Sequence, residues 1–144
     1  MKQINIIISI IFIGALISGC ATGLNNSQHN ELREWQAKGL AVEEKSPGAA
    51  AGLGLLPGVG SFYTRSYGLG VVNLLFWPLS MCWDPVSGHN GAQSINYFAT
   101  KADVSKKMEK ELRQLDMELE DESITEKQYI LRKRKIESKF RADI

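Results

Sequence analysis

The residues from Pro47 to Thr100 constrain this chain more than any other part of it. Those 54 residues hold all four prolines, nine of the thirteen glycines and eight of the twelve aromatics, yet their only formal charges are Arg65 and Asp84. Such a stretch resists forming one long regular element, because proline removes a backbone donor and glycine costs conformational entropy inside a helix. An apolar segment this poor in charge needs lipid, a partner or itself to cover it.

The rest of the chain has the opposite character. Its 144 residues include 17 basic and 16 acidic side chains, a net charge of +1. That balance excludes the basic excess with which nucleic-acid binders displace counterions from phosphates. The total conceals segregation: residues 101–144 hold 12 basic and 11 acidic residues, while the preceding 54 hold one of each. A chain of this length forms one domain at most, assembled in blocks.

At the N-terminus, Lys2 precedes an apolar run from Ile4 to Leu16 interrupted only by Asn5, Ser9 and Gly14. This is the charged and apolar pattern of a secretory signal. It ends at Ile17-Ser18-Gly19-Cys20, which resembles the lipobox of bacterial lipoproteins. The resemblance implies that the Cys20 thiol receives a diacylglyceryl group, that the chain is cut before it, and that the new amino terminus is acylated. At ~0.8 kcal/mol per buried CH₂, two or three acyl chains hold a protein on a membrane almost permanently, whereas one holds it marginally. It also implies the outer membrane, periplasmic face, because Ala21 stands where an aspartate marks retention at the inner membrane of enteric bacteria. The alternative is a retained transmembrane helix, since roughly 20 apolar residues suffice to span. With Cys20 lipidated, Cys82 is expected as an unpaired thiol buried in packing.

Residues 21–27 are small and polar, as a flexible tether should be. Leu32 and Trp35 share one face of a short helix expected over His29 to Lys38, which Gly39 stops. His29 has no second imidazole nearby and reads as a surface residue, not a metal ligand.

Within the central stretch, small residues recur at four-residue spacing: Gly48 and Gly52, Ala50 and Gly54, Gly54 and Gly58. That spacing lets helix backbones approach closely, and Pro57-Gly58 reads as a turn. Together they predict a short helix from Ala49 to Leu56 ending in the turn. An apolar run from Val71 to Trp83 follows, broken by Asn73, Pro78 and Ser80. At ~1.5 Å per residue the first helix reaches ~12 Å, and Gly68 to Trp77 reaches ~15 Å, against a hydrocarbon core of ~30 Å. Only a helix continuing through Pro78, from Ser66 to Trp83, approaches a span at ~27 Å.

Pro57-Gly58-Val59-Gly60-Ser61-Phe62-Tyr63 and the run from Tyr67 to Leu75 resemble the TM2 family, a two-helix membrane hairpin without assigned activity. That family often has His-Arg where Gly60-Ser61 stand, and a glycine near Arg65. The resemblance implies a helical hairpin. The candidate residues for contact with membrane or with a second copy are Gly48, Gly52, Gly54, Gly58, Phe62, Tyr63, Trp77 and Trp83, the aromatics suiting an interface.

Residues Asp84 to Gly91 are dense in turn formers and are expected as a loop. His89 with Ser87 or Cys82 is the one candidate catalytic set. No glycine-flanked serine elbow, phosphate loop, paired-cysteine motif or HExxH occurs, so neither an enzyme nor a cofactor or metal is expected.

In the tail, Val104, Met108, Leu112, Leu115 and Leu119 step by four, four, three and four, a narrow apolar stripe on a charged helix. After a turn at Asp121-Glu122-Ser123, Thr125 and Gln128 form a capping box and Ile124 can staple to Tyr129. Tyr129, Ile136 and Phe140 share a face of the second helix, whose basic run Arg132 to Lys135 lies opposite the acidic run Glu118 to Glu122. Leu112 to Phe140 resembles the SHOCT-type C-terminal module, which often has glycine where Glu122-Ser123 stand. That resemblance implies an oligomerisation or interaction appendage; a solvated pair of charged helices is the other reading.

The sequence therefore predicts a mainly α protein: a short apolar helical hairpin plus a charged C-terminal helix-turn-helix, with the N-terminal signal helix removed on maturation. Residues 1–19 form the signal peptide, 20–46 a lipidated tether with a short helix, 47–100 the TM2-like hairpin and 101–144 the SHOCT-like hairpin. The expected function is a non-enzymatic, lipid-anchored envelope protein. It would bind membrane lipid through Cys20, a protein partner through its C-terminal helices, and copies of itself. The alternatives are an integral two-helix inner-membrane protein serving as a small subunit of a transport or secretion assembly, and a small enzyme using His89.

Overall fold

The computed structural model describes residues 23–142, so Ile17, Ser18, Gly19 and Cys20 lie outside the described residues. The chain is mainly α, and no strand occurs among the described residues. Among the described residues six α-helices follow in order: α1 (Asn26–Ala37), α2 (Pro47–Leu53), α3 (Val59–Tyr63), α4 (Tyr67–Leu75), α5 (Asp84–Glu120) and α6 (Glu126–Phe140), with a 3-10 turn at Leu79–Cys82 between α4 and α5.

Local chemistry fixes most of these boundaries. α1 starts three residues earlier than expected because Asn25 and Gln28 cap each other: the Gln28 amide donates to Asn25 Oδ1 at 2.9 Å and the Asn25 amide to Gln28 Oε1 at 3.0 Å. α2 begins with Ser46 as cap and Pro47 in the first turn, where its missing N–H has no helical partner to lose. Thr125 and Gln128 form the expected capping box of α6.

Three helices end in the same motif, with a residue of positive φ and amides reaching back into the last turn. After α1, Gly39 has φ +68°, and the Leu40 amide donates to the Trp35 carbonyl at 2.8 Å. After α3 the positive φ falls on Arg65 (+62°), with Ser66 donating to Ser61 at 2.9 Å; after α5 it falls on Glu122 (+56°), with Ser123 donating to Glu118 at 3.0 Å. Glycine is the usual residue there because a Cβ is crowded in this conformation. Arg65 and Glu122 occupy it nonetheless, near the two places where the resembled families carry glycine.

Two expectations fail for identifiable reasons. Asp84 to Gly91 is helical, being the start of α5. Pro85 falls in the first turn, Asp84 supplies the negative charge a helix N-terminus favours, and Gly88 sits inside packing instead of a turn. The continuous helix from Ser66 to Trp83 does not form: α4 ends at Leu75, three residues before Pro78, whose ring disfavours helix in the preceding residue. The Trp77–Pro78 bond is cis. Among the described residues no helix is long and apolar enough to cross a membrane.

The helices fall into two compact units. One comprises Glu44–Ile95 with Gly23 and Leu24; the other comprises Asn25–Glu43 and Asn96 onward. The second is patterned as water-soluble proteins are. Leu32, Trp35, Tyr97, Val104, Leu115 and Phe140 are buried, as the apolar stripes require. The Trp35 indole donates to the Phe140 carbonyl at 3.0 Å, and Lys38 reaches the Ser138 and Arg141 carbonyls at 3.2 and 2.5 Å. A cation at the end of α6 satisfies carbonyls that have no helical donor. The antiparallel pairing of α5 with α6 is fixed by Arg132 to Glu118 at 2.5 Å, Lys139 to Glu111 at 2.6 Å and Tyr129 to Asp116 at 2.9 Å. Exposed pairs of this kind contribute only ~0–1 kcal/mol each, so the apolar stripe supplies the stability and the charges set the register.

The Tyr97 hydroxyl donates to Glu31 Oε2 at 2.5 Å and accepts from Lys101 Nζ at 3.2 Å. Burial, then the bond to Glu31, raises the Tyr97 phenol above its ordinary value, and the bond to Tyr97 raises the Lys101 ammonium. Both folded values lie above the unfolded ones, so the stabilisation is complete below about pH 10 and lost as pH rises past it. Hydrogen exchange in α1 and in α5 around Tyr97 should accelerate above about pH 10 beyond the intrinsic base catalysis. Tyr97→Phe should cost ~1–2 kcal/mol at neutral pH and flatten that dependence; equal pH slopes in both proteins would refute the assignment. Glu122→Gly should stabilise the chain by about 0.5–1 kcal/mol, measured by urea unfolding, because it relieves the positive φ.

Candidate functional site

The first unit is inverted relative to the second. Its interior is made of small and polar residues, and its helices meet backbone to backbone. A Cβ added at Gly54 would lie 2.5 Å from the Pro85 nitrogen, one at Gly60 2.7 Å from the Gly54 Cα, and one at Gly88 2.7 Å from the Ala50 carbonyl oxygen. Gly58 is the most constrained: it has φ +70°, and a Cβ there would lie 2.2 Å from the Gly70 carbonyl oxygen. These contacts draw α2, α3, α4 and the start of α5 together with little large apolar surface between them.

A hydrogen-bonded cluster occupies the middle. Ser61, Asn73 and Asp84 are 1 %, 0 % and 0 % exposed. The Ser61 hydroxyl donates to Asp84 Oδ1 at 2.5 Å. Asn73 Nδ2 donates to the same oxygen at 2.7 Å and to Ser61 Oγ at 3.0 Å. Asn73 Oδ1 accepts from the Trp83 indole N–H at 2.8 Å. The cluster thus joins α3, α4, the segment before α5 and the first residue of α5. Asp84 Oδ2 is buried without a hydrogen-bond partner; the N-terminus of α5 offsets part of that cost.

The large apolar residues are outside. Leu75, Leu79, Phe76 and Trp77 are 75 %, 64 %, 57 % and 52 % exposed, and Leu55, Leu56, Val71, Leu74, Met81, Trp83 and Val86 are exposed as well. Between Lys45 and Lys101 the formal charges are Arg65 and Asp84; since Asp84 is buried, Arg65 alone brings charge to that surface. Arg65 pairs with Glu44 at 2.6 Å. Close by in the chain, Lys45 Nζ stands 4.4 Å from the centre of the Tyr63 ring, and the Tyr63 hydroxyl accepts from the Ser46 amide at 3.2 Å. The apolar shell is thus bordered in sequence by a small charged and aromatic cluster.

The residues singled out from the sequence separate into three groups. Trp77 and Trp83 are exposed in the shell, and Phe62 and Tyr63 are half-buried. Gly54 and Gly58 are buried against the chain's own backbone, so they serve internal packing instead of contact with membrane or a copy. Gly48 and Gly52 are exposed, and nothing lies within 4 Å of a Cβ placed on Gly52. Cys82, expected to be buried, is exposed, because the 3-10 turn keeps Ser80 inside and turns its neighbours outward. Ser87 and His89 are two apart on α5, where side chains at that spacing do not face each other. Among the described residues no cluster of metal-binding side chains occurs.

Ser61, Asn73 and Asp84 were not singled out from the sequence. Their signal was present: an asparagine interrupting an apolar run, and one of only two charges in 54 residues. A polar residue in such surroundings must find a partner or destabilise the fold.

Asn73→Ala would remove two donors and leave the Trp83 indole unpaired. It should cost about 2–4 kcal/mol of unfolding free energy and shift Trp83 fluorescence. Gly58→Ala should cost a comparable amount, about 2–4 kcal/mol, from the left-handed backbone and the clash with Gly70. Wild-type stability in either variant would contradict this packing. Comparison with known protein families, with curated proteins and with solved structures finds no match to this chain.

Proposed function

We infer that this chain is a non-enzymatic, lipid-anchored envelope protein. Its apolar unit contacts the membrane, and its charged helical unit serves as an interaction surface. The observation that carries the reading is the inverted burial of the first unit, with polar groups bonded inside and Leu, Phe and Trp side chains outside. Helices that associate in lipid gain nothing from burying leucine against leucine, and use small residues and internal hydrogen bonds instead. In water the same surface would be an aggregation hazard.

The anchor rests on the lipobox-like Ile17-Ser18-Gly19-Cys20 and the apolar run before it. Ala21 favours the outer membrane, periplasmic face. The second unit, with paired charges along α5 and α6, is suited to a protein partner and resembles the SHOCT-type module in its leucine spacing and acidic turn. Ser87 and His89, two apart on α5, do not face each other, and the hydroxyl that does donate to a carboxyl oxygen, Ser61 to Asp84, is buried away from any substrate.

Growth with labelled palmitate should mark the wild-type protein and leave Cys20→Ala unmarked, with the variant retaining its signal segment and migrating more slowly. Continued labelling of the variant would overturn the anchor. Sucrose-gradient fractionation should place the protein with the outer membrane; migration with the inner membrane would overturn that location.

A further inference from the structure

We propose that the first unit enters a single leaflet of a phospholipid bilayer, with the shell from Val71 to Val86 among the acyl chains. This rests on the lipid-anchored reading above and adds what that reading leaves open, namely how the unit meets the membrane. Depth follows from length. α2, α3 and α4 have 7, 5 and 9 residues, so the longest is about 14 Å, against ~15 Å for half of a hydrocarbon core. Each of these three helices fits within the depth of one leaflet.

Three observations favour acyl chains over a second copy as the occupant. First, the exposed apolar residues lie on α4, on the 3-10 turn, on the links beside it and on the start of α5, with Asn73, Ser80 and Asp84 turned inward between them. A surface wrapping several elements suits a fluid that covers it from all sides, whereas a dimer covers one patch. Second, the shell carries no formal charge and no polar rim interrupts it between Val71 and Val86: the one ionic group in that interval, Asp84, is fully buried. Interfaces between proteins have a polar rim. Third, the anchor is close. Cys20 precedes Gly23 by three residues, a distance of at most about 11 Å in an extended chain. A Cβ on Gly23 would lie 3.5 Å from the Asn90 side chain, within the same unit. Acyl chains on Cys20 therefore hold this unit at the bilayer surface.

The interior fits this placement. Polar groups in hydrocarbon need internal partners: the Trp83 indole N–H has one in Asn73 Oδ1 while its ring remains exposed, and Asp84 Oδ1 has two, with Oδ2 left to the N-terminus of α5. Lys45 and Arg65, the cations of this unit between Glu44 and Ile95, suit the headgroup level.

Cys82 provides the probe, because it is exposed between Met81 and Trp83 in the shell. The full lipidated protein, reconstituted in vesicles of phosphatidylethanolamine and phosphatidylglycerol, is labelled with a thiol-reactive nitroxide. Its accessibility to oxygen and to a water-soluble nickel chelate is then compared by electron paramagnetic resonance. Immersion predicts an oxygen-accessible, nickel-protected label between the phosphates and the midplane. Leu75→Asp with Leu79→Asp should raise nickel accessibility by about fivefold or more, while helix content by circular dichroism stays unchanged.

A label accessible to nickel on vesicle-bound protein would overturn the proposal, and so would dipolar broadening between labels, which would assign the shell to a second copy. Neither result touches the anchor. Failure of the anchor shows separately: a lipidated chain takes one label, whereas an unmodified Cys20 would take a second, since the chain has 2 cysteines.

Discussion

The carboxylate of Asp84 is held inside the apolar unit because Ser61 and Asn73 both donate to its Oδ1, at 2.5 and 2.7 Å. An uncompensated charge in such a place would cost several kcal/mol. With two donors and a helix N-terminus behind it, the group becomes a joint. Ser61 belongs to α3, Asn73 to α4, and Asp84 opens α5. Removing any one leaves buried polar atoms unsatisfied, so two short helices that could not persist alone, α3 and α4, are bound in one arrangement to the start of α5.

That joint explains why the glycines stand where they do. Hydrogen bonds near 2.7 Å from short side chains, serine and asparagine, require the helix axes to come close. The axes can come close only where no Cβ intervenes, as at Gly54 against Pro85 and Gly60 against Gly54. Glycine lowers helix propensity by about 1 kcal/mol per residue, a cost that makes sense only if the contacts return more. The polar centre and the glycine contacts are one device, and each would fail without the other.

Much of this was legible in the sequence, and the unread part has a common cause. The capping box at Thr125, the stop at Gly39, the stripe from Val104 to Leu119 and the pairing of basic with acidic runs all follow from local rules of helix chemistry. Local rules misread Asp84 to Gly91, because Pro, Ser, Gly and Asn there satisfy turn statistics, whereas tertiary contact at Gly88 and the buried Asp84 decides for helix. They also misplaced Cys82 inside. In this unit hydrophobicity does not translate into burial: Ser80 is buried while Met81 and Cys82 are exposed.

The reversal can be followed along a single helix. In α5 the residues buried near its start are Asp84, Gly88, Gly91 and Ala92, and beyond Asn96 they are Tyr97, Thr100, Val104 and Leu115. The exposed residues change in the main as well, from Val86 in the first part to Lys106, Lys107 and Lys110 in the second, where Phe98 and Met117 are the exposed apolar exceptions. The whole segment is one α-helix, so the change lies in the side chains and not in the backbone. Where water is the solvent, burying aromatic and aliphatic side chains stabilises by roughly 1.5–3 kcal/mol each, and charges belong outside. Where hydrocarbon is the solvent that term vanishes, and close backbone contact with bonded polar groups is what remains to hold helices together. The first unit has the composition demanded by the second case, and it is this match that the proposed contact with lipid rests on.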